Sequence, residues 1–131
     1  MLNKNVETFL ACDSEYAAAS IVLFGAPFDG TTSYRPGARF GSRAMRAESY
    51  GLETYSPYVD RDLLDCAVFD SGDLELCFGD TEMALEDIYQ HTRTILADGK
   101  TPFCRGCPQF PYSVRCLQSL HRTTGATSAA G

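Results

Sequence analysis

The chain has 131 residues and a mass of 14.3 kDa, enough for one ordinary domain burying roughly two-thirds of its unfolded surface, and too little for a multidomain machine. Its 44% hydrophobic, 21% charged and 11% aromatic residues place it among globular chains, not disordered or fibrous ones. A formal net charge of −6 argues against nucleic acid as a partner, because binding to phosphates needs a basic face. No apolar run is longer than the four residues Ile21 to Phe24, far short of the ~20 that cross a bilayer, so no membrane partner is expected. Lys4, Glu7, Asp13 and Glu15 interrupt the first fifteen residues, which lack the apolar core of a signal peptide and point to the cytoplasm. Six cysteines in that setting read as free thiols or metal ligands.

Ser20 to Gly25, with β-branched Ile21 and Val22 and a stop at Gly25-Ala26-Pro27, predicts a strand buried on both faces. A long glycine-rich loop follows, after which the Ser42 hydroxyl is expected to cap a short helix over residues 43–48. Cys66 to Phe69 predicts a second buried strand, ending in an Asp70-Ser71-Gly72-Asp73 turn. The clearest helix comes next, capped by Asp80 or Thr81. In it Met83, Ala84, Ile88, Thr92, Ile95 and Leu96 recur at three- and four-residue steps, and Gly99 stands where a left-handed C-cap belongs. His91, between Gln90 and Thr92, reads as a surface residue of this helix and not as a metal ligand. Residues 100–103 begin a third strand. Strand, helix, strand, helix, strand implies right-handed crossovers and a parallel sheet covered on both faces, the α/β class.

Composition breaks near residue 103. All seventeen acidic residues lie between Glu7 and Asp98, whereas residues 104–131 hold three arginines, three of the six cysteines and no acid. Residues 123–131 have no large apolar side chain, so 104–131 is expected to be a disordered tail and 1–103 the patterned unit. One chemistry fits the tail: Cys104, Cys107, Cys116 and His121 are four candidate tetrahedral zinc ligands. Their spacing matches no finger pattern, and Pro108 and Pro111 interrupt any regular element between them.

In open α/β sheets, ligands gather at the carboxyl ends of strands, so the segments after Gly25 and Phe69 are the candidate sites. In the first, Arg35 and Arg39 stand four residues apart among glycines. They fit either a clamp for anionic or carbonyl groups or a structural loop paired with nearby carboxylates, the commoner arrangement. Asp70 and Asp73 at the second strand's end suggest acid/base or metal chemistry, but hydrogen bonds to turn backbone explain them adequately. The glycines follow neither the dinucleotide fingerprint nor the P-loop, and no Ser/His/Asp or Cys/His arrangement emerges from the spacing.

Three stretches in order, GAPFDGTTSYRPGARFG, GLETYSPYVDRDL and FDSGDLELCFGD, closely resemble the opening third of the ureohydrolase (arginase/agmatinase) family, in its agmatinase branch. The resemblance spans about residues 6 to 103. It implies the N-terminal part of a three-layer α/β/α parallel-sheet fold, and a lineage that hydrolyses agmatine to putrescine and urea at a binuclear Mn²⁺ centre. It also implies that Asp29, Thr32, Ser33, Tyr34 and Arg35 wall the substrate mouth, and that the family's multimers are contacted by this part of the chain. Tyr50, Tyr55, Tyr58 and Phe78 are candidates for joining a homo-oligomer or an intact ureohydrolase, or equally for a core. Ser42 stands where the family has Pro, and both begin helices acceptably.

The family's metal ligands come from a GGEH-type turn, a DAHxD motif and a DxDxxDP motif, none of which this sequence contains. Cys104-Arg105-Gly106-Cys107-Pro108 stands in place of the first. The expectation is a truncated or frame-shifted agmatinase-like chain that binds no Mn²⁺ and is not catalytic alone.

Overall fold

The computed structural model of the chain describes residues 2, 5–30 and 32–106. In chain order its elements are β1 (Ile21–Gly25), α1 (Gly41–Ser49), β2 (Tyr55–Ser56), β3 (Arg61–Asp62), β4 (Val68–Asp73), α2 (Thr81–Ala97) and β5 (Thr101–Arg105). One-turn 3-10 helices at Ala38–Phe40 and Leu63–Asp65 lead into α1 and out of β3. Strands β4, β1 and β5 form a parallel sheet in that order, and β2 and β3 form a small antiparallel ribbon.

The alternation of β1 divides the interior. Val22 and Phe24 face α2, where they pack with Phe69, Leu76, Ala84, Ile88 and Ile95. Leu23 and Ile21 face the other way, against Val68, Cys12 and Phe9. The strand is thus buried on both faces, as expected of a central parallel strand. The outer edge of β4 is covered by the N-terminal segment, where Ser14 N–H donates to Val68 O and Asp70 N–H to Cys12 O.

Helix α2 begins as its sequence demands. The Asp80 carboxylate accepts the N–H groups of Glu82 and Met83, and Gly99 takes φ 72° just past the end. Ala84, Ile88, Thr92 and Ile95 form its buried stripe, whereas Met83 is exposed. Thr92 satisfies its buried hydroxyl by donating to Ile88 O.

Four local expectations change. Ser42 does not cap α1: it lies inside the helix, buried, and its hydroxyl donates to Asp73 at 2.8 Å. The segment Asp70 to Asp73 is not a turn after β4 but its last four residues. Its register slips between the residues facing Leu23 and Gly25, because Gly72 at φ 81° inserts an extra residue. His91 is half-buried and not a free surface residue, since its ring packs edge-on to Phe24 with centroids 4.8 Å apart and its Nε2 is buried. Strand β5 continues through Cys104 and Arg105, two residues past the compositional break; residues 107–131 lie outside the described part. Among the described residues no helix is long and apolar enough to cross a membrane.

Candidate functional site

Because β1 lies between β4 and β5, the chain leaves it toward one side and later returns on the other. The carboxyl end of β1 is therefore a topological switch point, where open α/β sheets bind ligands. The loop from Ala26 to Phe40 springs from that point.

Its first half is held firmly. Ala26 N–H donates to Arg105 O at 2.8 Å, and Ala26 and Phe28 are buried. Asp29, also buried, accepts the Gly37 N–H at 2.8 Å, has Arg39 Nε at 3.7 Å, and offers its own carbonyl to Thr32 N–H. One carboxylate thus ties both ends of the loop together. Thr32, Ser33, Tyr34 and Arg35 are exposed on the span between. Arg35 takes φ 51° and its guanidinium lies 5.3 Å from the centre of the Tyr34 ring, a cation–π contact that presents both side chains to solvent. Of the five loop residues singled out in the sequence, Asp29 is the anchor and the other four are exposed. Arg39 takes the structural role, pairing with Asp29 and lying over Phe40.

Below the loop is an ion network that the sequence reading missed. Arg46 of α1, 4% exposed, donates from Nε and Nη2 to the two oxygens of Asp70 at 2.8 and 2.9 Å, and from Nη1 to Asp73. Asp70 accepts two further N–H groups, from Phe9 and Gly72, both at 2.9 Å. Burial alone lowers the pKa of the Arg46 guanidinium, but the hydrogen bonds and charges of Asp70 and Asp73 outweigh it and hold the group above its ordinary value. Gly25 lets β1 approach: a Cβ there would lie 2.0 Å from an oxygen of Asp73 and 2.8 Å from Ser42 Oγ. The available signal was a polar stripe, Ser42, Arg46 and Ser49, at steps of four and three along α1.

This network bears on metal binding. Among the described residues no group of three or more His, Cys, Asp or Glu side chains is arranged to hold an ion, and the oxygens of Asp70 and Asp73 are already engaged by Arg46, Ser42 and backbone N–H groups. The donor set of the described residues does not fit Mn²⁺. Of the candidate zinc ligands, Cys104 lies in β5, and Cys107, Cys116 and His121 fall outside the described residues.

Residues 19–106, well over half of the chain, match the arginase family. The chain belongs to the arginase family. The agmatinase of Bacillus subtilis is 46% identical over 100 residues, which are 76% of this chain and 34% of that enzyme. The crystal structure of a putative agmatinase from Clostridium difficile superposes with a TM-score of 0.77 at 44% identity, covering 85% of this chain and 40% of that one. The proclavaminate amidino hydrolase of Streptomyces clavuligerus gives 0.73 at 28% identity, covering 91% and 40%. The chain therefore spans about a third of the length of the curated relatives it matches, and its sheet and helices are the corresponding part of the arginase-like fold.

Proposed function

We propose that this chain supplies the substrate-mouth wall of an agmatinase-like ureohydrolase and does not itself hydrolyse agmatine. The observation that carries the reading is the loop at the carboxyl end of β1, where buried Asp29 ties the loop at Thr32 and Gly37 while Thr32, Ser33, Tyr34 and Arg35 stay exposed. Hydrolysis of agmatine to putrescine and urea adds water to the guanidino carbon, chemistry for which a metal centre would supply an activated water. The engagement of Asp70 and Asp73 by Arg46, Ser42 and backbone N–H groups supports a wall without metal ligands. Thr32, Ser33 and Tyr34 would contact the substrate by hydroxyl and aromatic groups, and none of the rim residues would transfer a proton in the reaction. The setting in which the chain would act is the cytoplasm.

The test is urea release from agmatine by the purified 131-residue chain with added Mn²⁺, with metal content measured on the same sample. No urea and no retained manganese are expected; urea above background with bound manganese would overturn the reading. One mole of tightly held zinc per chain would instead favour a zinc site at Cys104, Cys107, Cys116 and His121.

A second reading, association with a further copy or with an intact ureohydrolase, is favoured by the exposure of Tyr50, Tyr55, Tyr58 and Phe78. Tyr58 is 96% exposed on the turn between β2 and β3, a cost in water that a partner would remove. Size-exclusion of the chain with and without an intact agmatinase decides it, a monomer unaffected by the addition being the contrary result.

A further inference from the structure

We infer that residues 5–16 form a strap that closes the outer edge of β4 to strand addition, and that the strand it keeps out is β4 of a second copy of this chain.

Among the described residues β1 is the one strand that β4 joins in the sheet. The opposite side of β4 is therefore an edge, a template for a further strand unless something covers it. Two devices share that task. At the far end the bulge at Gly72, φ 81°, breaks the register, and the strap begins so close to it that a Cβ on Gly72 would stand 2.9 Å from Asn5 Cγ. At the near end the strap itself takes the place of a strand. Ser14 N–H donates to Val68 O and Asp70 N–H to Cys12 O, both at 3.1 Å, with Asp13 opposite Phe69 in antiparallel sense. The anchors of the strap come from β4 and from the ends of α1 and α2. Asp70 accepts Phe9 N–H at 2.9 Å, Ser49 Oγ accepts Leu10 N–H at 3.0 Å, and the Tyr16 hydroxyl donates to Asp98 at 2.5 Å. Cys12, 3% exposed, packs with Leu23 and Val68, and the Tyr16 ring meets Phe69 edge-on at 5.2 Å.

The hydrogen-bonding groups under the strap identify the excluded strand. They are one acceptor and one donor, the Val68 C=O and the Asp70 N–H, placed on either side of Phe69. Rotation about a two-fold axis at Phe69 brings each Asp70 N–H to the Val68 C=O of the other copy, so this edge is complementary to itself. The two strands then run antiparallel, the sense in which the edge already accepts its strap. A net charge of −6 on each copy opposes the approach, so the pairing needs added salt as well as a lifted strap.

The test compares the full 131-residue chain with Ser14→Pro, which removes the N–H that Val68 O accepts, and with Ser14→Ala, which keeps it. Leu10→Pro, which removes the N–H held by Ser49 Oγ, is a second release variant. Hydrogen exchange of the Asp70 amide is followed in dilute and in concentrated solution with added salt, alongside light scattering. In the parent and in Ser14→Ala it should be slow at every concentration. In the release variants it should quicken by about tenfold or more when dilute, and slow again as a dimer forms on concentration. Unchanged exchange in both release variants would overturn the proposal, as would fast exchange at every concentration or Ser14→Ala behaving as Ser14→Pro. Loss of the far-UV circular dichroism of both release variants would overturn it too, because a strap lifts without unfolding the sheet beneath it.

Discussion

Arg46 keeps its charge at 4% exposure because three of its N–H groups meet two carboxylates. A bidentate pair of this kind depends on the planar fork of the guanidinium, which an ammonium cannot reproduce. Removing one partner leaves the other charged and buried. Arg46→Met is therefore expected to cost about 3–5 kcal/mol, and Arg46→Lys to recover only part of that loss, read as shifts of the urea midpoint at constant slope. Cys12 sits beside the same network. Burial first, and the negative charge of Asp70 second, push its thiol up to about 11, so little thiolate forms at neutral pH. Cys66 is exposed. Timed alkylation at pH 8 followed by mass spectrometry should modify Cys66 quickly and Cys12 only after denaturation; equal rates would contradict the burial of Cys12.

At the scale of elements, the bulge in β4 makes the network possible. Residues three apart on a regular strand point to opposite faces, yet Asp70 and Asp73 both reach Arg46 because the register slips at Gly72. Helix α1 consequently docks on the sheet through Ser42, Arg46 and Ser49, while Met45 is exposed. Helix α2 docks by the opposite means, an apolar stripe, and holds His91 against Phe24 with no described partner for its buried Nε2. Desolvation by burial lowers the pKa of His91. Its folded-state value then lies below its unfolded one, so as pH falls through about 6.5 the unfolded chain binds the proton first and stability decreases. Melting temperatures should fall between pH 7.5 and 5.5, and His91→Phe should flatten that slope; an unchanged slope in the variant would remove His91 as its cause.

At the scale of the whole molecule, three strands and two helices must support a face on which Phe103 and Leu52 are more than half exposed. An edge strand beside an exposed apolar face invites association. The chain alone is expected to melt broadly and to self-associate; a single sharp calorimetric transition with well-dispersed amide resonances would contradict that. The strand–helix alternation, the Asp80 cap, the Gly99 C-cap and the loop after Gly25 were legible in the sequence, since each rests on local propensity and periodicity. The Arg46 network was not legible. Its members, Ser42, Arg46, Asp70 and Asp73, meet across the sheet from separate elements, and a polar stripe on a nine-residue helix reads as a wet surface until something is packed against it.

By itself the sequence determined the α/β class and the family, because periodic burial and the motifs around Gly25, Tyr55 and Asp70 are properties of neighbouring residues. Only the tertiary structure decided which loop residue anchors and which are presented. Asp29 and Arg35 are six positions apart in one polar loop, and their roles differ because the Gly37 N–H and the Arg39 guanidinium close on the first and leave the second in solvent. Contact, and the loss of water that comes with it, assigns those roles, and neither is written in the order of the residues.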